Sequence, residues 1–287
     1  MTKTTILLDT LKFPESPRWH KGKLWCSDLY TQQIVKIDLN GNVETVVELS
    51  DTPTAIDWTP EGHLLIVSAN SRQLLRREGD TLVVVADLSE WVRYPMNDMV
   101  VDKQGRAYIG NLGYDFGNDE AAPQLAPILL VTPDGNAQIV ADGLAFPNGL
   151  LITPSGLTLI VAESHGARLT AFDIASDGSL SNKRVWAQFE NSDASPENQF
   201  APDGMSLDVE GAVWVASPST CEIVRVREGG EITDRLSLDN IPLACMLGGV
   251  DRRTLFIATT GSFDPSDPNA KGRIETIQVD VAGAGRP

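Results

Sequence analysis

The 287-residue chain reads as all-β: a six-bladed β-propeller of four-stranded antiparallel blades, residues 1–287 forming a single domain. Three observations predict this. A Pro leading into a short apolar run recurs at Pro14, Pro53, Pro95, Pro147, Pro202 and Pro242. The intervals of 39, 42, 52, 55 and 40 residues suit propeller blades better than helical solenoids. Within each interval, β-branched runs alternate with Gly and Asn turns, and no sustained 3.6-residue apolar period appears.

The first unit sets the pattern. After Pro14–Trp19 come the strands KLWCSDL and QIVKIDL, the turn Asn40–Gly41–Asn42, and VETVVEL. The second repeats it nearly column for column, with PTAIDW, HLLIVSA, QLLRRE and LVVVADL, and Leu88–Val92 has room for one helical turn. NDMVVD, AYIGNL, ILLVTP and AQIVADG make the third, and NGLLIT, TLIVAES, RLTAFDI and KRVWAQF the fourth. GMSLDV, VWVASP, EIVRVRE and ITDRLSL make the fifth. The sixth offers only LGGV, LFIATT and RIETIQVDV, while Ile6–Lys12 at the N-terminus is left without a blade. Pairing that orphan onto the last blade closes the ring and removes an open edge.

Composition narrows the class of function. A net charge of -16 and a pI near 4.5 repel phosphate backbones and anionic lipid, arguing against nucleic-acid and membrane partners. Cys26, Cys221 and Cys245 form no CxxC pair or disulfide ladder, which suits a reducing compartment. The apolar patch Ile6–Leu7–Leu8 is too short for a signal-peptide core. The expectation is a cytoplasmic monomer or weak homo-oligomer acting on a small molecule.

In such a blade the start of the first strand and the loop joining strands two and three share one face. The long insertions Gly113–Pro127, Asn191–Ala201 and Gly261–Gly272 all fall there, whereas turns on the other face, such as Asp134–Gly135, are tight. Glu15, Asn148 and Asp203 begin the innermost strands of blades one, four and five and should converge on the axis. Asn97 joins them from blade three if Met96 is absorbed as a bulge; Thr54 and Leu243, in blades two and six, are poor ligands. Two carboxylates with one or two amide oxygens make a hard site for one divalent ion, Ca²⁺ or Mg²⁺, with Mn²⁺ or Zn²⁺ tolerated. The competing reading is that Asn-Gly and Asp-Gly before a strand are ordinary turn chemistry.

Glu15–Ser16–Pro17–Arg18–Trp19, Asn97–Asp98, Phe146–Pro147–Asn148–Gly149, Pro202–Asp203–Gly204–Met205 and Cys245–Met246–Leu247–Gly248–Gly249 run along the whole chain. In this combination the sequence resembles the gluconolactonase/regucalcin/luciferin-regenerating-enzyme family of six-bladed propellers. The resemblance implies metal ligation by Glu15, Asn148 and Asp203, with Asp203 also the general base. It places Asn97 on the substrate side, and implies metal-dependent hydrolysis of sugar-type lactones. Pro95 stands where animal regucalcins carry a substrate-binding Arg, and the stretch Asn111–Gly117 is unlike theirs. Two further substrate contacts are candidates. His165, between strands two and three of blade four, either donates to a lactone oxygen or is a solvent-facing loop residue. Tyr114 and Phe116 either wall the pocket or pin their own loop. Asp264, Asp267 and Asn269 lack EF-hand spacing and read as a solvated rim. Cys221 has no base beside it in sequence. The alternatives are a phosphotriesterase-like hydrolase on the same metal centre and a non-enzymatic calcium- or ligand-binding propeller.

Overall fold

The computed structural model describes residues 3–115, 122–189, 199–268 and 270–285. Phe116, Gly117, Asn269 and most of the Asn191–Ala201 insertion, singled out above, lie outside these residues. The strands form six four-stranded antiparallel sheets, the blades of the expected propeller. Blades one to five use consecutive strands. Blade six is Ile241–Gly248, Thr254–Thr260, Gly272–Gln278 and, from the other end of the chain, Thr5–Leu11. The N-terminal strand pairs antiparallel with Gly272–Gln278, Thr5 opposite Thr276 and Leu11 opposite Gly272. Among the described residues, no helix is long and apolar enough to cross a membrane.

The alternation of side chains along a strand explains the radial order. Second strands such as Leu64–Ser68 and Val213–Ser217 are buried throughout, apolar on both faces. Fourth strands such as Val43–Glu48 are mostly exposed. Each pair of neighbouring blades encloses its own apolar cluster. Leu151, Leu169, Met205 and Val224 lie between blades four and five, and Ala55, Val67, Met99 and Ile109 between two and three. The closing interface holds Leu8 and Leu11 against Leu24, Cys26, Met246 and Phe256. Burial raises the thiol pKa values of Cys26 and Cys245, which serve as small apolar fillers.

Two strand readings need correction. The sixth blade's first strand spans Ile241–Gly248, so LGGV is its tail and the turn beyond it. Gly249 takes φ 86° and Val250 is 94% exposed, because a Gly-Gly pair turns where a strand needs side chains. Blade five's first strand is only Met205–Leu207, shorter than GMSLDV. The single turn after Leu88 is present, with the Val92 N–H donating to the Leu88 carbonyl at 3.2 Å.

Ring closure gives a test of the fold. Leu11→Ala should cost about 2–4 kcal/mol through lost burial and a residual cavity. Ile6, 51% exposed on the same strand, should tolerate Ala within about 0.5 kcal/mol. Thermal unfolding of the two variants checks this; equal losses would mean that the N-terminal strand is not a packed part of blade six.

Candidate active site

The starts of the innermost strands share a local irregularity. The pairing register shifts between Glu15 and Arg18, Pro53 and Ala55, Met96 and Met99, Pro147 and Leu150, and Pro242 and Ala244. A bulge re-aims a side chain that a regular strand would turn into a blade face. The shift after Met96 matches the one after Pro147. Met96 thus takes the place of that Pro, and Asn97 falls level with Asn148 without a bulge of its own. Close approach follows at the axis. A Cβ on Gly149 would meet the Asp203 carbonyl oxygen at 2.4 Å, and one on Gly204 would meet the Ala244 Cβ at 2.2 Å. The glycines after Asn148 and Asp203 therefore let inner strands come together where the donors sit.

Those donors form the floor of a cavity of about 510 Å³, a size suited to a small organic molecule. Glu15, Asn97, Tyr114, Asn148, His165 and Asp203 all line it, from blades one, three, four and five. The Asn97 Nδ2 donates to Asn148 Oδ1 at 3.2 Å and to the Pro147 carbonyl at 3.2 Å. Asn148 Nδ2 donates in turn to Ser164 Oγ at 3.3 Å, and that hydroxyl donates to the Pro202 carbonyl at 2.8 Å. This relay fixes which way the Asn148 amide faces.

The carboxylates are under electrostatic strain. Asp203 is 8% exposed, and its buried Oδ1 has no hydrogen-bond partner. Burial first, then repulsion from Glu15 and Asp98, raises its pKa well above the usual aspartate range. Glu15 opens onto the cavity floor, yet protein surrounds it. Desolvation lifts it to about 8, opposed by the Ser16 N–H and helped by Asp98. Beneath them lies a pair that residue-by-residue reading of the sequence did not single out. Buried Arg18 donates to Asp98 Oδ1 at 3.1 Å and to the Met99 carbonyl at 2.8 Å. The N–H groups of Met99 and Leu150 donate to the same carboxylate, at 2.8 and 3.3 Å. The available signal was a charge at an inward strand position in each of two repeats.

A cation fits this floor better than the bare chain does. Two crowded carboxylates, one oxygen without a partner and an oriented amide make a hard-oxygen donor set. Among the described residues, no three His, Cys, Asp or Glu side chains group as a metal cage. A cation would rest on two carboxylates completed by the Asn148 amide, leaving sides open to the cavity.

Above the floor, Tyr114, Phe146 and His165 pack together, with ring centroids 4.8–5.8 Å apart. His165 sits in the short turn Ser164–Gly166, and burial holds its pKa below the ordinary imidazole value. Phe13, Tyr30 and Phe263 line the cavity too, a grouping that sequence reading missed. Cys221 is a free thiol outside the lining set.

Comparison with known proteins places the chain. It is 24% identical to regucalcin of Xenopus laevis, covering 93% of this chain and 89% of that one. It is 23% identical to a pentonolactonase of Haloferax volcanii, over 100% and 97% of the two chains. A calcium-binding regucalcin from Agrobacterium tumefaciens superposes with a TM-score of 0.82 at 18% identity, over 100% of this chain and 97% of that one. Luciferin-regenerating enzyme gives 0.80 at 17%, with the same coverage. These superpositions carry the fold alone. Matching the SMP-30/Gluconolactonase/LRE-like region over residues 13–261, the chain belongs to that family.

Proposed function

We propose that the protein is a divalent-metal-dependent hydrolase that opens a lactone ring, with Glu15, Asn148 and Asp203 holding the ion. The observation that carries the reading is the buried, unpartnered Asp203 Oδ1 beside a second strained carboxylate on an enclosed cavity floor. Family membership and the lactonase names of relatives from Haloferax volcanii and Pseudomonas putida support it. A bound divalent ion supplies positive charge that polarises a carbonyl oxygen and acidifies water.

The chain's own residues supply the rest. With the neighbouring charge neutralised, Asp203 ionises and accepts a proton from the attacking water. Water adds at the acyl carbon and the acyl–oxygen bond of the ring breaks. Asp203 returns the proton to the departing ring oxygen, giving a hydroxy acid. Asn97, held at the edge of the donor set, positions the ester. Tyr114 and neutral His165 flank it, His165 being available as a hydrogen-bond donor. A cavity with room for a small organic molecule beside the donor set favours turnover over calcium storage, which needs no space for a second molecule.

Chelation should abolish lactone turnover, and Asp203→Asn should lower kcat about 100-fold or more. The metal-free variant should melt at or above the wild-type temperature, because it loses a repelled buried carboxylate. Full activity after exhaustive chelation would sink the reading, as would an active Asp203→Asn protein.

The pH dependence has a definite sign. Glu15 rises from 4.5 to about 8 on folding, so the metal-free native state holds a proton that the unfolded chain releases. Stability of the metal-free protein should therefore fall as pH rises from about 4.5 to about 8. Differential scanning calorimetry should show this decline flattened in Glu15→Gln and reversed by added Ca²⁺ or Mg²⁺. A wild-type slope identical to that of Glu15→Gln would contradict the assignment.

A further inference from the structure

The cavity walls carry information that the floor does not. Two aromatic clusters face the space from opposite sides of the ring. On the side of blades one and six, Phe13 packs on Tyr30 at 4.7 Å and on Phe263 at 5.7 Å. The Tyr30 hydroxyl donates to the Phe263 carbonyl at 2.5 Å, tying two loops together. On the side of blades three and four stand Tyr114, Phe146 and His165.

Positive charge is scarce in the same volume, and its lining is predominantly apolar. Arg18 is the only Lys or Arg among the described lining residues, and it is committed to Asp98 and to the Pro17 and Met99 carbonyls. Of the polar side chains on the lining loops, Asn70 is tied to Asp51 and Thr52, and Ser164 to Pro202. The described residues of the three insertions of this face hold three acids, Asp115 (which lines the cavity), Asp264 and Asp267, and one Lys, Lys271. A carboxylated, sulfonated or phosphorylated substrate would meet repulsion there with no guanidinium to offset it. A polyhydroxylated ring would bury hydroxyls against aromatic faces, leaving them without partners. An apolar substituent loses nothing at those walls and removes them from water.

We infer that the substrate is an uncharged lactone carrying an aliphatic or aromatic substituent. Its ester rests on the polar floor and its substituent lies between the two aromatic walls. This rests on the lactonase reading above, and the experiment separates the two. Lactams, with a ring N–H in place of the ring oxygen, report binding without turnover. Calorimetric titration of the full chain with added divalent ion compares pentyl- and phenyl-substituted δ-lactams with gluconolactam and a carboxylated analogue. The substituted lactams should bind about tenfold tighter or better than either polar probe, the scale set by one or more methylenes in an apolar pocket. Equal affinities, or an order led by gluconolactam or the acidic probe, overturn the inference. Turnover of the matching lactones is measured in parallel. Opening of none, with the lactam order intact, removes the hydrolase and leaves the pocket preference standing.

A rim variant locates the contact. Phe263 is 43% exposed, so Phe263→Ser leaves the core intact. It should raise KM for the phenyl-substituted lactone about tenfold with kcat unchanged. An unchanged KM refutes the placement of the substituent against that wall.

Discussion

Negative charge gathered at the axis governs this structure. Glu15, Asp98 and Asp203 come together in protein-enclosed surroundings with a single guanidinium, Arg18, among them. Asp98 takes that guanidinium and two backbone N–H groups, so its charge is compensated in place. Glu15 and Asp203 are left to repel each other, and both hold protons far above the usual carboxylate range. Neighbouring carboxylates are thereby driven into different states, one compensated in place and two left crowded and protonated. Protons complete the centre of the bare chain, and under the proposed function a cation would compete with them.

A near-symmetric scaffold produces this lopsided centre. Six apolar interfaces hold the blades together. A register shift recurs at the inner strands of blades one, two, three, four and six, while in blade five Asp203 precedes the strand. What differs is the residue at that register: Glu15, Thr54, Asn97, Asn148, Asp203 and Leu243. Acids and amides occupy blades one, three, four and five, while Thr54 turns back to the Asn97 carbonyl at 3.1 Å. The asymmetry of the centre is a matter of which residue stands at one position of the repeat.

Much of this was legible in the chain because it is periodic. The Pro before each inner strand, the alternation of the outer strands and the unpaired N-terminal segment are local patterns, and the structure follows them. The floor residues shared one register and could be aligned by counting. What escaped was non-local. Phe13 and Tyr30 meet across the first hairpin of blade one, but Phe263 joins them only because the ring closes, and nothing near Phe263 in sequence points to Phe13. Arg18 sits in a stretch resembling PTAIDW, where the equivalent residue is Asp57, so counting repeats could not show that it crosses to Asp98. LGGV failed as a strand for a local reason: Gly248 is the last strand residue and Gly249, at φ 86°, begins the turn.

Closure by the N-terminal strand has a further consequence, for the order of assembly. Thr4 donates to Glu275 across 271 positions, so the last seam joins the two ends of the chain. Contacts at such separation form late and slowly. Each blade carries its own turns and can acquire strands early, but no blade owns the axis. The donors of blades one, three, four and five reach common ground only once the seam is shut. A chain stalled before that point has sheets and no centre, so partial folding yields an inert protein, not a weakly active one.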